Sequence, residues 1–465
     1  MPRATLVSII GIALATQVTA AQSAFPSDSA IRSILVDRID TQHQSVGIVV
    51  GLIEPGGRRI ISYGALAKDD ARPLDGNTIF EIGSVTKTFT SLLLADMVRR
   101  GEVALDDPVA KYLPADVRMP SRKGRAITLV DLATHSSGLP HVPANLKPKD
   151  VANPWADYTV QQLYAFLSSY VLPRDIGSEF EYSNLGAGLL GHILARRAGM
   201  EYEDLVRTRI TDPLGMSSTR VTVPSDWTSR FATGHDDRMR TVSYWDLPTL
   251  AGAAALRSTA NDMLTFLAAN IGLTNSPLTP AMTDMLRISR PGANPGLTMG
   301  LGWMVEAEPP PSPQFVWHNG GTGGFRSFVG FDPARHIGVV VLSNASTLVG
   351  VDDIGGHLFN EESALLHLQP PRVRTEVAID STLLAPYVGT YGLPAGRDIK
   401  VGRLRARLYA QATGQSSFEV YAEGPRDFFA KVADIQMRFE TDAGGKVTAM
   451  VITQAGFSFR ARRVP

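Results

Sequence analysis

The sequence predicts a protein of the α+β or α/β class with a second, smaller antiparallel β-domain. Three observations support this: apolar β-branched segments lie near both ends of the first 366 residues, mostly helical periodicity lies between them, and short strands alternate with turns after residue 382. The simplest packing is an antiparallel sheet whose strands come from both ends of this region. Helices flank the sheet, and an all-helical insert occupies about 106–290. We therefore expect one domain at 22–366, a linker at 367–381 and a small β-barrel at 382–465.

Two hairpins are predicted at the ends of the first domain. Each joins two extended segments across a turn that contains proline. The segments are 46–53 and 58–63 around 55–57, and 328–331 and 337–342 around 332–335. A further extended run, 315–318, enters the glycine-rich stretch 319–324.

Helical periodicity is clearest over about 84–100. Apolar side chains recur there at every fourth position, and Gly101 stands where the helix is expected to end. A second helical run covers Thr259–Leu267, with Ser258 and Thr259 as its cap. Helices therefore fill the middle of the first domain.

The composition excludes several kinds of function. The 45 basic and 45 acidic residues cancel, so no net charge favours nucleic acid or an anionic membrane. Cysteine is absent, which excludes disulfides, thiolate zinc sites, thiol nucleophiles and a lipid-anchored amino-terminal cysteine. With 44% apolar and 19% charged residues, the chain is an ordinary globular protein.

The amino terminus has the pattern of a signal peptide at 1–21. Arg3 precedes a short apolar stretch at 6–15, and small residues follow at 18–21. The stretch is shorter than the roughly 20 residues that span a bilayer. We expect cleavage near Ala20 or Ala21, export to a periplasm or the medium, and no membrane span.

A serine and a lysine at the start of the predicted helix form the first candidate motif. Common catalytic signatures are missing, among them Gly-x-Ser-x-Gly, His-Glu-x-x-His and the phosphate loop. Ser84 and Lys87 share one helical face, so the amine can reach the hydroxyl. Free backbone N–H groups at a helix start favour an alkoxide there.

Two further motifs contain groups suited to acyl transfer. Tyr182, followed by Asn184, is a candidate general base if a nearby Lys87 ammonium acidifies the phenol. His318 directly precedes the glycine-rich stretch, which starts with Asn319, Gly320 and Gly321. There a substrate backbone can lie along a strand, and an N–H can complete an oxyanion hole. Each motif alone is also compatible with a purely structural role.

Taken together, the motifs Ser84-x-x-Lys87, Tyr182-x-Asn184 and His318-x-Gly320 resemble those of the penicillin-recognising serine hydrolases. The resemblance is to the class C β-lactamases and their DD-peptidase and esterase relatives, and it covers about residues 27–366. It implies a β-lactamase/DD-peptidase-like fold for that part of the chain. The segment that begins at Leu384 resembles a lipocalin-like barrel appended to some members. Supporting stretches are Thr134–Pro140, Pro213–Met216, Leu256–Thr259 and Gly300–Trp303.

The resemblance also implies roles for these residues. Ser84 is the nucleophile, and Tyr182 or Lys87 takes its proton, a choice that the sequence leaves open. The N–H groups of Ser84 and Gly321 hold the oxyanion, and Asn184 binds Lys87 and the substrate amide. No metal or cofactor is required, and the partner is a small molecule or peptide: a β-lactam, a D-amino-acid peptide or an ester.

The third motif departs from the Lys-Thr-Gly of class C β-lactamases. His318 stands in place of the lysine, and Asn319 in place of a threonine that helps to bind a substrate carboxylate. A histidine of ordinary pKa, about 6.5, would be mostly neutral above pH 7. An esterase, a D-aminopeptidase and a penicillin-binding interaction protein with little turnover therefore stand beside a β-lactamase or D-Ala-D-Ala carboxypeptidase as alternatives.

Overall fold

The computed structural model describes residues 23–306, 315–347, 349–367, 374–393, 397–412, 417–431, 435–454 and 457–464. The predicted signal peptide at 1–21 lies outside these ranges, as do residues 368–373 of the predicted linker. Residues 374–380 belong to neither helix nor strand.

The first domain is built on a nine-stranded antiparallel sheet. Its strands, with two short pairs outside the sheet, are β1 (Gly47–Glu54), β2 (Gly57–Ala67), β3 (Asp70–Pro73), β4 (Ile79–Glu81), β5 (Ser121–Arg122), β6 (Arg125–Ala126), β7 (Arg257–Thr259), β8 (Arg290–Pro291), β9 (Leu297–Met299), β10 (Met304–Glu306), β11 (Phe315–Gly321), β12 (Arg326–Asp332) and β13 (Ile337–Ser343). The sheet order is β3-β2-β1-β13-β12-β11-β10-β9-β8. Since β1 pairs with both β2 and β13, strands from the two ends of the domain meet in one sheet, as the sequence predicts.

Helices cover both faces of this sheet. They are α1 (Asp28–Val36), α2 (Thr86–Arg99), α3 (Leu129–Ala133), α4 (Val160–Ser169), α5 (Asn184–Ala198), α6 (Tyr202–Val206), α7 (Asp212–Leu214), α8 (Ala251–Ala254), α9 (Ala260–Asn270), α10 (Thr279–Arg287) and α11 (Asp352–Phe359). Alternate residues of β1 and β13 pack against α9 on one face and against α1 and α11 on the other. In the described ranges, no helix combines the length and apolar character needed to cross a membrane.

The start of the first long helix differs from its prediction. Residues Gly83–Val85 form a 3-10 turn, and the α-helix begins only at Thr86. The body of α2 is almost entirely buried, and its Phe89 stacks on Phe266 of α9 with ring centroids 4.4 Å apart. Ser84 therefore sits on a turn that a buried helix holds in place.

The glycine-rich stretch also differs, because its first residues continue a strand. The predicted strand at 315–318 extends to Gly321, since Gly320 and Gly321 pair with Ser327 and Arg326 of β12. By contrast, Thr259 caps α9 as predicted, accepting the N–H of Asp262 at 3.1 Å.

The carboxyl-terminal part is a closed eight-stranded antiparallel barrel, which confirms that part of the predicted fold class. A 3-10 turn at Ser381–Tyr387 precedes it, and Tyr387, Phe428 and Phe439 pack together in its core. Its strands are β14 (Gly389–Leu393), β15 (Arg397–Leu404), β16 (Arg407–Ala412), β17 (Phe418–Ala422), β18 (Asp427–Ala430), β19 (Ile435–Thr441), β20 (Val447–Gln454) and β21 (Phe457–Val464).

Candidate active site

Ser84 lies where the turn before α2 meets the end of β11. Gly83 has a φ of +50°, and a Cβ atom there would lie 2.6 Å from the backbone nitrogen of Gly321. Both the backbone conformation and this close approach therefore require glycine at position 83. The peptide group of Ser84 consequently lies beside that of Gly321.

Lys87 is buried in the first turn of α2 and points back at Ser84. Its Nζ lies 2.9 Å from Ser84 Oγ, 2.8 Å from Asn184 Oδ1 and 2.8 Å from the carbonyl oxygen of Ala253. Burial holds the pKa of Lys87 well below its usual value, because a low-dielectric environment disfavours the ammonium. A neutral amine has two N–H groups and one lone pair. Since the oxygens of Asn184 and Ala253 only accept, each takes one N–H of Nζ, and in the neutral form of the amine the lone pair faces Ser84 Oγ.

The ring of Tyr182 covers this amine, with its centroid 4.8 Å from Lys87 Nζ. Burial raises the pKa of Tyr182, and a hydrogen bond with Ser84 offsets this only in part. The direction of this shift is opposite to the acidified phenol that the sequence analysis expects, because burial disfavours the phenolate. Tyr182 carries its proton and is placed as a donor.

Asn184 reaches Lys87 because its neighbour caps the helix instead. The hydroxyl of Ser183 accepts the N–H of Gly186 at 2.8 Å, so α5 begins without using the Asn184 side chain. While Oδ1 of Asn184 accepts from Lys87, its Nδ2 donates to Nε2 of His141 at 3.0 Å. The amide is thus held at both ends.

Two histidines that the sequence analysis did not single out support this second motif. His135 is buried, its Nδ1 accepts the N–H of Ser183 at 3.1 Å, and its ring lies 4.5 Å from that of Tyr182. His141 holds Asn184, as described above. His135 belongs to the supporting stretch Thr134–Pro140, and His141 follows it directly, so the segment was noticed although its contacts were not.

The end of β11 offers an open strand edge beside Ser84. Strand β12 pairs with Val316–Gly321, whereas β10 pairs only with Phe315–Trp317. Within the described ranges, no strand lies on the other edge of His318–Gly321. A Cβ atom on Gly320 would overlap the carbonyl oxygen of Ile82, so glycine lets the edge approach the turn that carries Ser84. An extended substrate can pair along such an edge.

His318 is fully buried on the side of β11 that faces Lys87. Its Nδ1 lies 2.6 Å from the carbonyl oxygen of Asn319. Because a carbonyl only accepts, Nδ1 carries the hydrogen and Nε2 presents a lone pair. This Nε2 has no hydrogen-bond partner among the described residues. Burial, with the neighbouring Lys87, lowers the pKa of His318 to about 3. The expected ordinary pKa near 6.5 is therefore wrong.

The side chain of Asn319 lies on the opposite face of the sheet. Its Nδ2 donates to Oδ2 of Asp352, the first residue of α11, at 2.5 Å. Side chains alternate along a strand, so Asn319 faces α11 with Trp317, while His318 and Gly320 face the Ser84 side. The structure does not bring the Asn319 side chain to Lys87, and its contact with a substrate stays a prediction.

The structure thus brings Ser84, Lys87, Tyr182 and Asn184 into one hydrogen-bonded cluster, with the Gly321 backbone beside it. A hydroxyl beside a buried amine of lowered pKa, a protonated phenol and nearby backbone N–H groups can support nucleophilic acyl transfer.

Comparisons with known proteins agree with this chemistry. The beta-lactamase family model matches residues 32–357, and a model described as a domain of unknown function (DUF3471) matches 373–464. The chain is 31% identical over 368 residues to the D-alanyl-D-alanine-carboxypeptidase/endopeptidase AmpH of Escherichia coli K12, covering 75% of this chain and 93% of that protein. It is 28% identical over 340 residues to a beta-lactamase of Pseudomonas fluorescens, covering 66% and 91%.

Solved structures give the same result. A class C beta-lactamase from Rhodobacter sphaeroides superposes with a TM-score of 0.60 at 30% identity, over 68% of this chain and 94% of the other. A beta-lactamase/D-alanine carboxypeptidase from Pseudomonas syringae superposes with a TM-score of 0.63 at 25% identity, over 73% and 99%. With a family model that spans most of the chain and this agreement in fold, the protein belongs to the beta-lactamase family, the penicillin-recognising serine hydrolases.

Proposed function

We propose that this protein is an exported serine hydrolase that cleaves D-amino-acid amides and β-lactams through an acyl-enzyme on Ser84. The observation that supports it most directly is the position of Lys87 Nζ, 2.9 Å from Ser84 Oγ. Nζ also donates hydrogen bonds to Asn184 Oδ1 and to the carbonyl oxygen of Ala253. When this amine is neutral, its lone pair faces the Ser84 hydroxyl, so it can act as the base for the nucleophile.

In the acylation step, the proton of the Ser84 hydroxyl passes to Lys87 Nζ while Oγ forms a bond to the substrate carbonyl carbon. The N–H groups of Ser84 and Gly321 stabilise the resulting oxyanion. As the C–N bond breaks, the leaving nitrogen takes the proton of the Tyr182 hydroxyl, and the Lys87 ammonium returns a proton to Tyr182. Lys87 rather than Tyr182 is thus the base for Ser84 in this proposal, because Tyr182 holds its own proton in the free enzyme.

Deacylation reverses these transfers with water in place of the leaving amine. Tyr182 accepts the proton of the attacking water as its own proton returns to the amine of Lys87, and Ser84 Oγ recovers its hydrogen when the acyl group departs. Asn184 keeps Lys87 in place throughout and offers its amide to the substrate. Export is supported by the leader pattern at 1–21. Amino-terminal sequencing of the exported protein would then start just after Ala20 or Ala21.

An intact-mass time course with benzylpenicillin tests this function. We expect a covalent adduct on the wild type and none on Ser84→Ala, with Ser33→Ala, an exposed serine of α1, as the matched control that still reacts. An adduct that persists would indicate a DD-peptidase, and one that disappears with hydrolysed drug a β-lactamase. An adduct on Ser84→Ala would refute the proposed nucleophile.

An esterase is the second candidate, and one observation favours it. His318 is neutral where class C β-lactamases have a lysine, so the site lacks that cation for a substrate carboxylate. If benzylpenicillin gives no adduct but a short-chain p-nitrophenyl ester is hydrolysed only when Ser84 is present, the esterase becomes the better description.

A further inference from the structure

The proposed function raises the question of which group recognises the carboxylate of a D-amino-acid or β-lactam substrate. His318 offers an uncharged lone pair, which repels rather than binds a carboxylate. Asn319 faces α11 and donates to Asp352. Neither side chain of the third motif therefore supplies the positive charge.

Arg326 brings a cation to this place from the neighbouring strand. It is the first residue of β12 and pairs with Gly321 of β11. Its Nη1 occupies the space that a Cβ atom on Gly321 would need. The side chain has therefore crossed from β12 to lie over Gly321, on the face of the sheet that carries α11, and only a glycine at 321 permits this position.

The rest of the side chain is fixed by its surroundings. Nε donates to the carbonyl oxygen of Thr347 at 2.7 Å, and the methylene groups pack against Gly350. Burial lowers the pKa of Arg326, while the charges of Asp352 and Asp237 raise it, and a guanidinium keeps its charge under such conditions. Asp352 is itself nearly enclosed, and burial raises its pKa to about 6.

Only the backbone of Gly321 separates Arg326 from the turn that carries Ser84. Its guanidinium lies against Gly321, and the Gly321 nitrogen lies beside Gly83, which directly precedes Ser84. A carboxylate that reaches Arg326 around the open edge of Gly321 would therefore belong to a substrate whose carbonyl carbon lies near Ser84, on the other face of the strand. A planar guanidinium is the side chain best matched to a carboxylate.

We propose that Arg326 is a specificity-determining residue that binds the substrate carboxylate at the edge of Gly321, in place of the cation missing at His318. This inference rests on the proposed function and narrows it to substrates with a free carboxylate beside the scissile bond.

The test compares an acyl-D-alanyl-D-alanine peptide with its carboxyl-terminal amide, using wild type, Arg326→Gln and Arg326→Lys. Loss of a charged hydrogen bond is expected to lower kcat/KM for the free acid by about ten- to a hundredfold in Arg326→Gln, mainly through KM. The amide should lose far less, and Arg326→Lys should restore part of the difference. The control is Arg335→Gln, in which an arginine paired with Asp332 at the far end of β12 is removed and the ratio of the two substrates should not change.

The proposal is overturned if Arg326→Gln lowers kcat/KM equally for both substrates, since that would indicate a structural effect on Gly321. It is equally overturned if the wild type does not distinguish the acid from the amide. If neither peptide is cleaved in a Ser84-dependent manner, the proposed function itself fails, which is a different result. Circular dichroism of each variant checks that it is folded.

Discussion

The two domains bury very different residues. In the hydrolase domain the buried set includes Lys87, His318, Glu81 and Arg257, and several of their polar atoms have no described partner. In the described part of the barrel, the buried residues are apolar or aromatic, such as Tyr391 and Met450. Burying a charge costs far more free energy than burying a methyl group. The buried polar groups therefore lower the stability of the first domain, whereas the buried side chains of the barrel stabilise it.

This contrast shows where function should be sought. Packing alone does not favour a buried lysine whose amine lies 2.9 Å from a serine hydroxyl, or a buried imidazole with an unpartnered nitrogen. The barrel core contains no comparable group among its described residues, so its apolar positions are explained by its own stability.

The largest expected effect is at Lys87. Arginine keeps its proton in proteins, so Lys87→Arg can still carry a positive charge. It has no lone pair, however, to accept the Ser84 proton as the proposed mechanism requires. We expect kcat/KM to fall by about 100- to 10,000-fold on any acyl substrate, measured by steady-state kinetics. Because burial lowers the Lys87 pKa, wild-type activity should persist at pH values well below the ordinary lysine range. Activity of Lys87→Arg within tenfold of wild type would contradict a role as base.

The next largest effect is on the stability of the barrel, and it tests whether the barrel and the hydrolase domain unfold independently. Phe439 contacts Tyr387, Phe428 and Tyr391 in the barrel, and Phe439→Ala should destabilise the barrel by about 3–5 kcal/mol. All five tryptophans lie in the first domain, so their fluorescence reports unfolding of that domain alone. We expect an earlier transition in circular dichroism, an unchanged tryptophan transition and undiminished Ser84 acylation.

The matched variant for this experiment is Phe266→Ala. Phe266 stacks on Phe89 of the hydrolase core, so this change should move the tryptophan transition. If Phe439→Ala shifted tryptophan fluorescence as much as Phe266→Ala does, the two cores would be one cooperative unit and the contrast drawn above would fail.

The smallest expected effect is at His318. Because its pKa is about 3, His318 should not titrate between pH 5 and 9, and His318→Gln should show a parallel pH profile of kcat/KM, offset by about two- to tenfold. On unfolding, the imidazole recovers a pKa near 6.5 and binds more protons, so it should lower stability as pH falls from about 6.5 toward 3. An inflection near pH 6.5 present only in the wild-type activity profile would show that His318 is instead exposed to solvent.

Much of the site could be predicted because its motifs are local. Ser84 and Lys87 lie one helical turn apart, and Tyr182 and Asn184 flank the start of α5, so their neighbourhood follows from short spacings. The predicted hairpins are local in the same sense. By contrast, Ser84 lies on a 3-10 turn rather than in the α-helix. There the backbone of Gly83 approaches that of Gly321 closely. This contact joins residues more than 200 positions apart, so short spacings do not predict it.

The sequence by itself determined the fold class, through hydrophobic periodicity, and the candidate reacting groups, through residue types at fixed spacing. Only the tertiary structure decided their protonation and direction. Burial sets the pKa values of Lys87, Tyr182 and His318, and strand pairing turns Asn319 away from Lys87 while it brings Arg326 over Gly321. The physical reason is that pKa and orientation depend on what surrounds a group in space, and those neighbours come from distant parts of the chain.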